Sequence, residues 1–186
     1  MSSVLVDNHE IARLAAVHIR SLGHQRSAVV WPQNPSPLAY DNALVRADAF
    51  TAAFGAAHTR RQMIPLGSSE HRRAAILDAV SDVSAVFCAT DSLAIETIAT
   101  LRDAGRPVPD GVSVVGVDDH PLAAAVGLTT IAQEPEAMGE LATAMVIAAA
   151  QGAAAPVESV EHGVRLVERR TSAPFGGGGL SAVAGA

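Results

Sequence analysis

The sequence predicts an α/β fold, a doubly wound parallel sheet with helices on both faces. Three observations predict this fold class. Strand-like and helix-like segments alternate from residue 4 to about residue 131. The strand-like segments are apolar throughout instead of alternating with polar residues, which is typical of strands buried on both faces. Asp, Asn, Ser or Thr residues, which cap helices, precede the helix-like segments.

The chain begins with a strand, a helix and a second strand. Residues 4–6 (VLV) form a short β-like run, and Asp7 and Asn8 after them are good N-cap residues. Apolar residues then recur at helical spacing up to Gly23, which stands where a glycine usually ends a helix. Residues 27–31 (SAVVW) have the composition of a buried strand.

A loop and a second strand–helix pair follow. Prolines interrupt the chain after the second strand, and Asp41 and Asn42 cap a helix that runs to about Ala57. Residues 62–66 are predicted to be a weak strand. A third helix is expected over about residues 70–80, after a Gly-Ser-Ser turn.

The central segment repeats the pattern more clearly. Residues 85–89 (AVFCA) predict a strand, and Thr90 and Asp91 cap a helix over 92–104 that ends at glycine and proline. Residues 112–117 (VSVVGV) predict the next strand.

The alternation ends after His120. Residues 128–131 form a short extended run, residues 135–150 a long amphipathic helix and residues 164–167 a last strand. The tail over residues 176–186 is rich in Gly, Ala and Ser, and we expect it to be disordered.

Charge and cysteine content narrow the class of protein. The net charge is −6 and all 13 basic residues are arginines scattered along the chain, which argues against a nucleic-acid-binding surface. The single cysteine, Cys88, excludes an internal disulfide framework and is expected to pack in its strand. Neither a secretory signal nor an apolar run of about 18 residues is present, so we expect a cytoplasmic protein without membrane contact.

The sequence gives no indication of a cofactor or a metal. It has no glycine-rich phosphate-binding motif and no G-x-S-x-G nucleophile motif. The seven histidines lack a metal-binding spacing, and His24 is expected to cap carbonyl groups at the end of the first helix.

Ligands of doubly wound sheets bind outside the carboxyl ends of the strands. This rule selects four segments here: residues 31–42, 67–69, 90–91 and 118–120.

Several residues in these segments allow two interpretations. Asp118 is expected either to bind a ligand or to cap the short helix after Pro121, and the cap is favoured for Asp119. An acid–base pair with His120 is a further alternative. Thr90 is ambiguous in the same way, because it caps a helix whether or not it touches a ligand.

Six stretches, in this order and spacing, resemble the LacI/GalR family of bacterial transcription regulators. They are VLVDN at 4–8, LGHQR at 22–26, ATDSLA at 89–94, LRDAGRPVPDGVSVVGVDD at 101–119, LTTIAQEPEAMG at 128–139 and VERRTSAP at 167–174. The resemblance covers about residues 4–175.

The resemblance implies the C-terminal lobe of a type I periplasmic-binding-protein-like fold. Residues 1–175 would then form a partial effector-binding domain, with residues 8–131 and about 157–174 in this lobe. The helix over 134–150 would dock on the N-terminal lobe. The family's helix-turn-helix DNA-binding segment and most of its N-terminal lobe have no counterpart in the sequence.

The resemblance also implies a set of ligand-binding residues. Arg46 matches the effector-binding arginine of the family's R-x-x-G-[FW] motif, with Ala49 in place of the glycine. The matched ligand-binding positions are Tyr40, Asn42, Arg46, Thr90, Asp118 and Gln133. Arginine donates in a planar fork and aspartate accepts from hydroxyls, so this pair suits a sugar or polyol. Trp31 or Tyr40 could supply a stacking aromatic ring.

The leading hypothesis is therefore the effector-sensing part of a LacI-family regulator that binds a small sugar-like or nucleoside-like effector. The resemblance implies that such a regulator forms a homodimer and contacts operator DNA only through its N-terminal segment. We expect this chain neither to bind operator DNA nor to hold a sugar tightly. A solute-binding protein of a transport system is the alternative, and a small enzyme based on Asp118, Asp119 and His120 is a third. The apolar residues of the 134–150 helix are expected to pack on the remaining sheet or on a second copy.

Overall fold

In the computed structural model, which describes residues 3–36, 41–151 and 159–176, the chain forms two sheets of unequal size. The strands are β1 (Ser3–Val6), β2 (Ser27–Pro32), β3 (Thr59–Ile64), β4 (Ala85–Cys88), β5 (Ser113–Asp118), β6 (Thr129–Ala132), β7 (Ser159–His162) and β8 (Arg165–Val167). The helices are α1 (Asn8–Ser21), α2 (Asn42–Phe54), α3 (Ser69–Ala79), α4 (Asp91–Asp103), α5 (Pro121–Val126) and α6 (Pro135–Ala150). The predicted disordered tail from residue 177 onward lies outside the described residues.

The larger sheet has the strand order β3-β2-β4-β5-β6-β8. All neighbouring strands are parallel except β6 and β8, which are antiparallel. From β2 the chain passes outward to β3 and then returns to β4 on the other side of β2, so the winding direction reverses between β2 and β4. The predicted doubly wound fold is confirmed, and this reversal marks the place where such sheets bind ligands.

The core consists of two apolar layers, one on each face of the large sheet. On the first face α1 and α2 pack against the strands, and the Phe50 ring stacks on Phe54 and Phe87 at centroid distances of 5.4 and 4.9 Å. On the second face α3 and α4 bury side chains such as Ile76 and Leu101. Both faces are covered, which explains why the central strands are apolar throughout.

Side-chain caps fix where the helices begin. The Asp7 carboxylate accepts hydrogen bonds from the backbone N–H groups of His9 and Glu10, and Asp41 accepts one from Leu44. Thr90 caps α4 as predicted. The expected cap of α5 was wrong, because His120 and not Asp119 accepts the hydrogen bond from the first turn.

Two strands differ from the sequence prediction. The predicted strand at 62–66 lies at Thr59–Ile64, because Pro65 ends it and because Arg60 and Arg61 belong to an edge strand that tolerates charge. The strand β7 was missed, since its sequence SVEH is polar. It pairs in parallel with β1 in the two-stranded sheet. Among the described residues 159–174, β8 is the strand that belongs to the large sheet.

The helix α6 lies against β1 of the small sheet. None of residues 135–150, all of which the structure describes, is buried. Val146 and Ile147 are 68% and 52% exposed, so the first alternative, in which this helix packs its apolar residues on the remaining sheet, was wrong. Packing on a second copy of the chain stays a prediction. In the part of the chain that the structure describes, the small sheet beside α6 has two strands, against six in the large sheet.

Two buried histidines of α1 and the following turn fasten the C-terminal segment to the large sheet. His24 lies within hydrogen-bond distance of the Ser84 and Ser113 hydroxyls and of the Ala173 carbonyl, at 2.8, 3.1 and 3.1 Å. His18 contacts the Ser172 hydroxyl at 2.9 Å. The expectation that His24 caps α1 was wrong, because its ring is turned into the core, where burial lowers its pKa.

The free energy of unfolding should decrease as the pH falls below about 6.5 through His18 and His24. Desolvation lowers the pKa of both imidazoles in the folded state, so the unfolded chain binds protons first as the pH falls. Each histidine can contribute a slope of up to about 1.4 kcal/mol per pH unit. Urea unfolding at pH 8 and pH 6 measures this slope.

The variant His24→Gln isolates one of the two groups, because glutamine keeps a donor and an acceptor but does not titrate. The stability advantage of the wild-type chain over His24→Gln should shrink between pH 8 and pH 6. The variant His9→Gln, at an exposed position on α1, is the matched control and should stay within about 0.5 kcal/mol of wild type. An advantage that is equal at both pH values would contradict the prediction.

Candidate ligand-binding site

Arg46 forms the floor of a polar cluster at the carboxyl edge of the large sheet. It lies on the buried side of α2 and is only 6% exposed. Its Nε donates to the Asn8 side-chain oxygen at 2.9 Å, and its Nη1 donates to the Ala89 carbonyl oxygen at 2.9 Å. Burial lowers the pKa of this guanidinium, and the Asp118 carboxylate opposes that shift. Ala49, which replaces the family's glycine, is a regular helical residue of α2.

Asp118 faces Arg46 from the end of β5. Its Oδ1 lies 3.6 Å from Nη1 of Arg46 and accepts a hydrogen bond from the side-chain amide of Gln133, which directly follows β6. Burial raises the pKa of the Asp118 carboxyl, while Arg46 pulls it down. The Asp118 side chain remains 41% exposed, so the carboxylate is accessible from the sheet edge.

Asn8 connects Arg46 to a second predicted site residue. Its side-chain oxygen accepts from Arg46, and its Nδ2 donates to the Asn42 side-chain oxygen at 2.9 Å. Asn42 is the first residue of α2 and the last residue of the segment 31–42 that was predicted to lie at the site. Sequence reasoning missed Asn8 because an Asp-Asn pair before a helix indicates only a cap. The actual cap is Asp7, and Asn8 is buried.

The other predicted residues differ in how much the structure says about them. Thr90 caps α4 immediately after Ala89, the residue whose carbonyl binds Arg46. Trp31 is partly buried at the end of β2, with the Arg61 guanidinium 5.3 Å from its ring centroid. Tyr40 lies outside the described residues. The structure thus brings Asn42, Arg46, Asp118 and Gln133 into one polar cluster, in which hydrogen bonds through Asn8 and Gln133 flank the 3.6 Å ion pair of Arg46 with Asp118.

Asp119 and His120 do not belong to this cluster. The Asp119 carboxylate accepts from Arg169 Nη2 at 2.7 Å, and the His120 ring accepts the N–H of Leu122 at 3.2 Å. Both groups therefore hold the chain around α5. The alternative of an acid–base pair loses its support, since each side chain is already engaged elsewhere.

The cluster combines a buried guanidinium with an accessible carboxylate. A guanidinium donates several hydrogen bonds in one plane, and a carboxylate accepts them. Two neighbouring hydroxyls of a ligand can therefore be bound together, one by each partner. Among the described residues, no group of three or more His, Cys, Asp or Glu side chains is arranged to hold a metal ion. No helix in the described ranges is long and apolar enough to cross a bilayer.

A polar cluster thus lies at the switch point of a doubly wound sheet, with a small second sheet beside it, which is the arrangement of a ligand-binding α/β protein. Residues 2–172 match the family model described as periplasmic binding protein-like domain. The chain belongs to this family.

Its curated relatives are helix-turn-helix transcriptional regulators. The chain is 31% identical over 174 residues to the regulator MalR of Streptomyces coelicolor. This alignment covers 90% of this chain and 51% of MalR. The chain is also 31% identical over 166 residues to CelR of Thermobifida fusca, covering 78% of this chain and 45% of CelR. The chain thus spans about half the length of these relatives.

Solved structures of LacI-family regulators share the fold. A regulator from Enterococcus faecalis with bound ribose aligns with a TM-score of 0.80 and 25% identity, over 94% of this chain and 64% of that one. A complex of the regulator CelR with cellobiose aligns with a TM-score of 0.75 and 26% identity, over 92% of this chain and 54% of that one. The predicted resemblance to the LacI family and its effector-binding fold is confirmed.

Proposed function

We propose that this chain is the effector-sensing part of a LacI-family transcription regulator and that a small sugar-like molecule binds at the Arg46–Asp118 cluster. The observation that carries the proposal is the 3.6 Å contact between these two side chains at the strand-end position where such sheets bind ligands. Effector binding would shift the regulator between conformations of different DNA affinity.

The geometry supports distinct roles for the site residues. The fork of Arg46 is held by Asn8 and Ala89, so it is oriented before a ligand arrives. Asp118, with Gln133 beside it, supplies the acceptor for ligand hydroxyls. Asn42 begins α2 and Thr90 caps α4. These helices lie on opposite faces of the large sheet but both begin at its carboxyl edge, where their polar groups can reach the same ligand.

The comparisons favour a regulator over a transport protein. The relatives with 31% identity are regulators, and two structural neighbours carry ribose and cellobiose. An enzymatic function is less supported, because Asp119 and His120 are engaged in structural contacts. In the whole regulator we propose a homodimer in the cytoplasm that contacts operator DNA through a helix-turn-helix segment.

We also propose which parts of the chain belong to each lobe of the effector-binding domain. The large sheet with its helices, residues 8–132 together with β8 and the segment after it, corresponds to the C-terminal lobe. The pair β1–β7 and the helix α6 correspond to the part that adjoins the N-terminal lobe.

The variant Asp118→Asn should weaken sugar binding at least tenfold. The amide keeps the size of the side chain but removes the charge that strengthens hydrogen bonds from ligand hydroxyls, and tenfold corresponds to about 1.4 kcal/mol. Calorimetric titration of the chain with ribose and with cellobiose, up to millimolar concentration, measures the effect.

The matched control is Asp78→Asn. It also removes one carboxylate from an arginine pair, but this pair, with Arg60, lies on the surface at the opposite edge of the sheet. The control should bind both sugars as the wild-type chain does. Equal affinities of Asp118→Asn and wild type would place the sugar elsewhere. Because we expect only weak binding by this chain, the proposed effector class is contradicted if the wild-type chain binds neither sugar even at millimolar concentration.

A further inference from the structure

The carboxylate of Asp91 is completely buried at the first residue of α4, directly behind the ligand site. One oxygen accepts a hydrogen bond from the Thr130 hydroxyl of β6 at 2.6 Å. The other accepts the backbone N–H of His120 at 2.9 Å. Asp91 thus joins three separate elements: α4, β6 and the turn that follows β5.

This turn has an unusual backbone. Asp118 and Asp119 are consecutive non-glycine residues with positive φ angles of 123° and 54°. Side chains disfavour such conformations, which persist only when the surroundings enforce them. The bond from His120 to Asp91 fixes the residue that directly follows the strained pair. In return, the backbone N–H of Asp91 acts on the Asp118 carboxylate and lowers its pKa.

Helix capping does not account for Asp91, because Thr90 already caps α4. Its burial is also electrostatically unfavourable. Desolvation raises the pKa of Asp91 to about 6, and the negative charges of Asp118 and Asp119 act in the same direction. Other interactions must therefore offset the unfavourable burial of this charge. The hydrogen bonds from the Thr130 hydroxyl and the His120 N–H are the interactions that do so.

We propose that Asp91 is a positioning residue of the ligand site, which holds the 118–120 turn so that Asp118 faces Arg46. The ligand-related part of this inference rests on the proposed function. Asp91 itself touches no ligand. Its role is to keep the Asp118 carboxylate in place by holding the backbone at His120, two residues after Asp118.

The test compares three variants of the chain. Asp91→Ala removes both acceptors, whereas Asp91→Asn keeps an oxygen for the His120 N–H and an amide that can donate to the Thr130 hydroxyl. Thr97→Val is the matched control: Thr97 is buried on the same helix and contacts the Cys88 thiol, but not the turn. The readouts are ribose affinity, amide hydrogen exchange of His120 and the resonance of the Arg46 Nε–H group.

Asp91→Ala should bind ribose at least tenfold more weakly, exchange the His120 amide at least 100-fold faster and shift the Arg46 Nε–H resonance. Asp91→Asn should stay within about threefold of wild type in affinity. Thr97→Val should lose stability but keep the affinity and the His120 protection. If Asp91→Ala does not fold, Thr130→Val replaces it, because it removes one partner of the carboxylate and should give the same changes to a smaller extent.

The outcomes separate this inference from the proposed function. Wild-type chain that binds no sugar contradicts the function, while the exchange rate and the Arg46 resonance still report on positioning. If Asp91→Ala, or Thr130→Val in its place, leaves affinity, His120 exchange and the Arg46 resonance unchanged, Asp91 has no positioning role. A loss of stability alone, equal to that of Thr97→Val, leads to the same conclusion.

Discussion

Replacing Gly116 by alanine is expected to lower the free energy of unfolding by about 3 kcal/mol. Gly116 lies in the central strand β5, and a methyl group there would overlap the Asp91 carboxylate oxygen. It would also come within 3.0 Å of the Leu128 side chain and 3.3 Å of Ala94. The Asp91 oxygen cannot move away freely, because it is bound to the Thr130 hydroxyl. The added methyl group must therefore strain a close-packed interior or break this hydrogen bond.

Urea unfolding of Gly116→Ala measures the loss. The matched control is Gly139→Ala in α6, where an added methyl group meets no atom within 4 Å. Alanine favours helix over glycine, so the control should gain about 0.5–1 kcal/mol. A Gly116→Ala protein within 0.5 kcal/mol of wild type would show that the Asp91 carboxylate is not confined as the structure indicates.

The variant Arg46→Met should weaken sugar binding by about 100-fold, or about 2.7 kcal/mol. Methionine fills much of the same buried volume but donates no hydrogen bond. The ligand then loses its donor, and Asp118 loses the cation beside it. Since burial already raises the pKa of Asp118, removal of Arg46 should raise it further and weaken the acceptor as well.

The same substitution should reduce stability by about 2 kcal/mol. The Ala89 carbonyl and the Asn8 side-chain oxygen would each lose the donor that satisfies them. The variant Arg46→Lys separates the contributions, because lysine keeps the charge but cannot form the planar fork. It should retain more stability than Arg46→Met but bind sugar at least tenfold more weakly than wild type.

The control for Arg46→Met is Arg73→Met. Arg73 pairs with Asp103 on the surface at 2.9 Å, and such exposed pairs contribute about 0–1 kcal/mol. This control should therefore change neither binding nor stability by a large amount. Sugar affinity of Arg46→Met equal to that of Arg73→Met would exclude Arg46 from the site.

The sequence predicted the large sheet well because its central strands are buried on both faces. A short, uninterrupted apolar run such as that of β4 or β5 is typical of a buried strand and fits few other structures. The edge strand β3 was displaced because Arg60 and Arg61 break the apolar pattern. The strand β7 has no apolar pattern that would predict it. It forms because it pairs with β1, which is far away in the chain.

The part of the site that lies at strand ends could be predicted, because the sheet topology determines where strands end. Strand ends indicated Asp118, and the family resemblance added Arg46 and Gln133, which the structure brings together with it. The roles of Asn8 and Asp91 were not predictable, because both residues also suit the start of a helix. Only tertiary contacts distinguish a capping side chain from one that supports another residue.

The position of Asn8 has a mechanical consequence. It stands two residues beyond the end of β1, where the chain leaves the small sheet for the large one, and it grips the guanidinium of Arg46. The segment that connects the two sheets is thus bonded directly to the arginine that we propose binds the ligand. A change in the angle between the two sheets would therefore displace Arg46, and with it the bound molecule, through Asn8 alone.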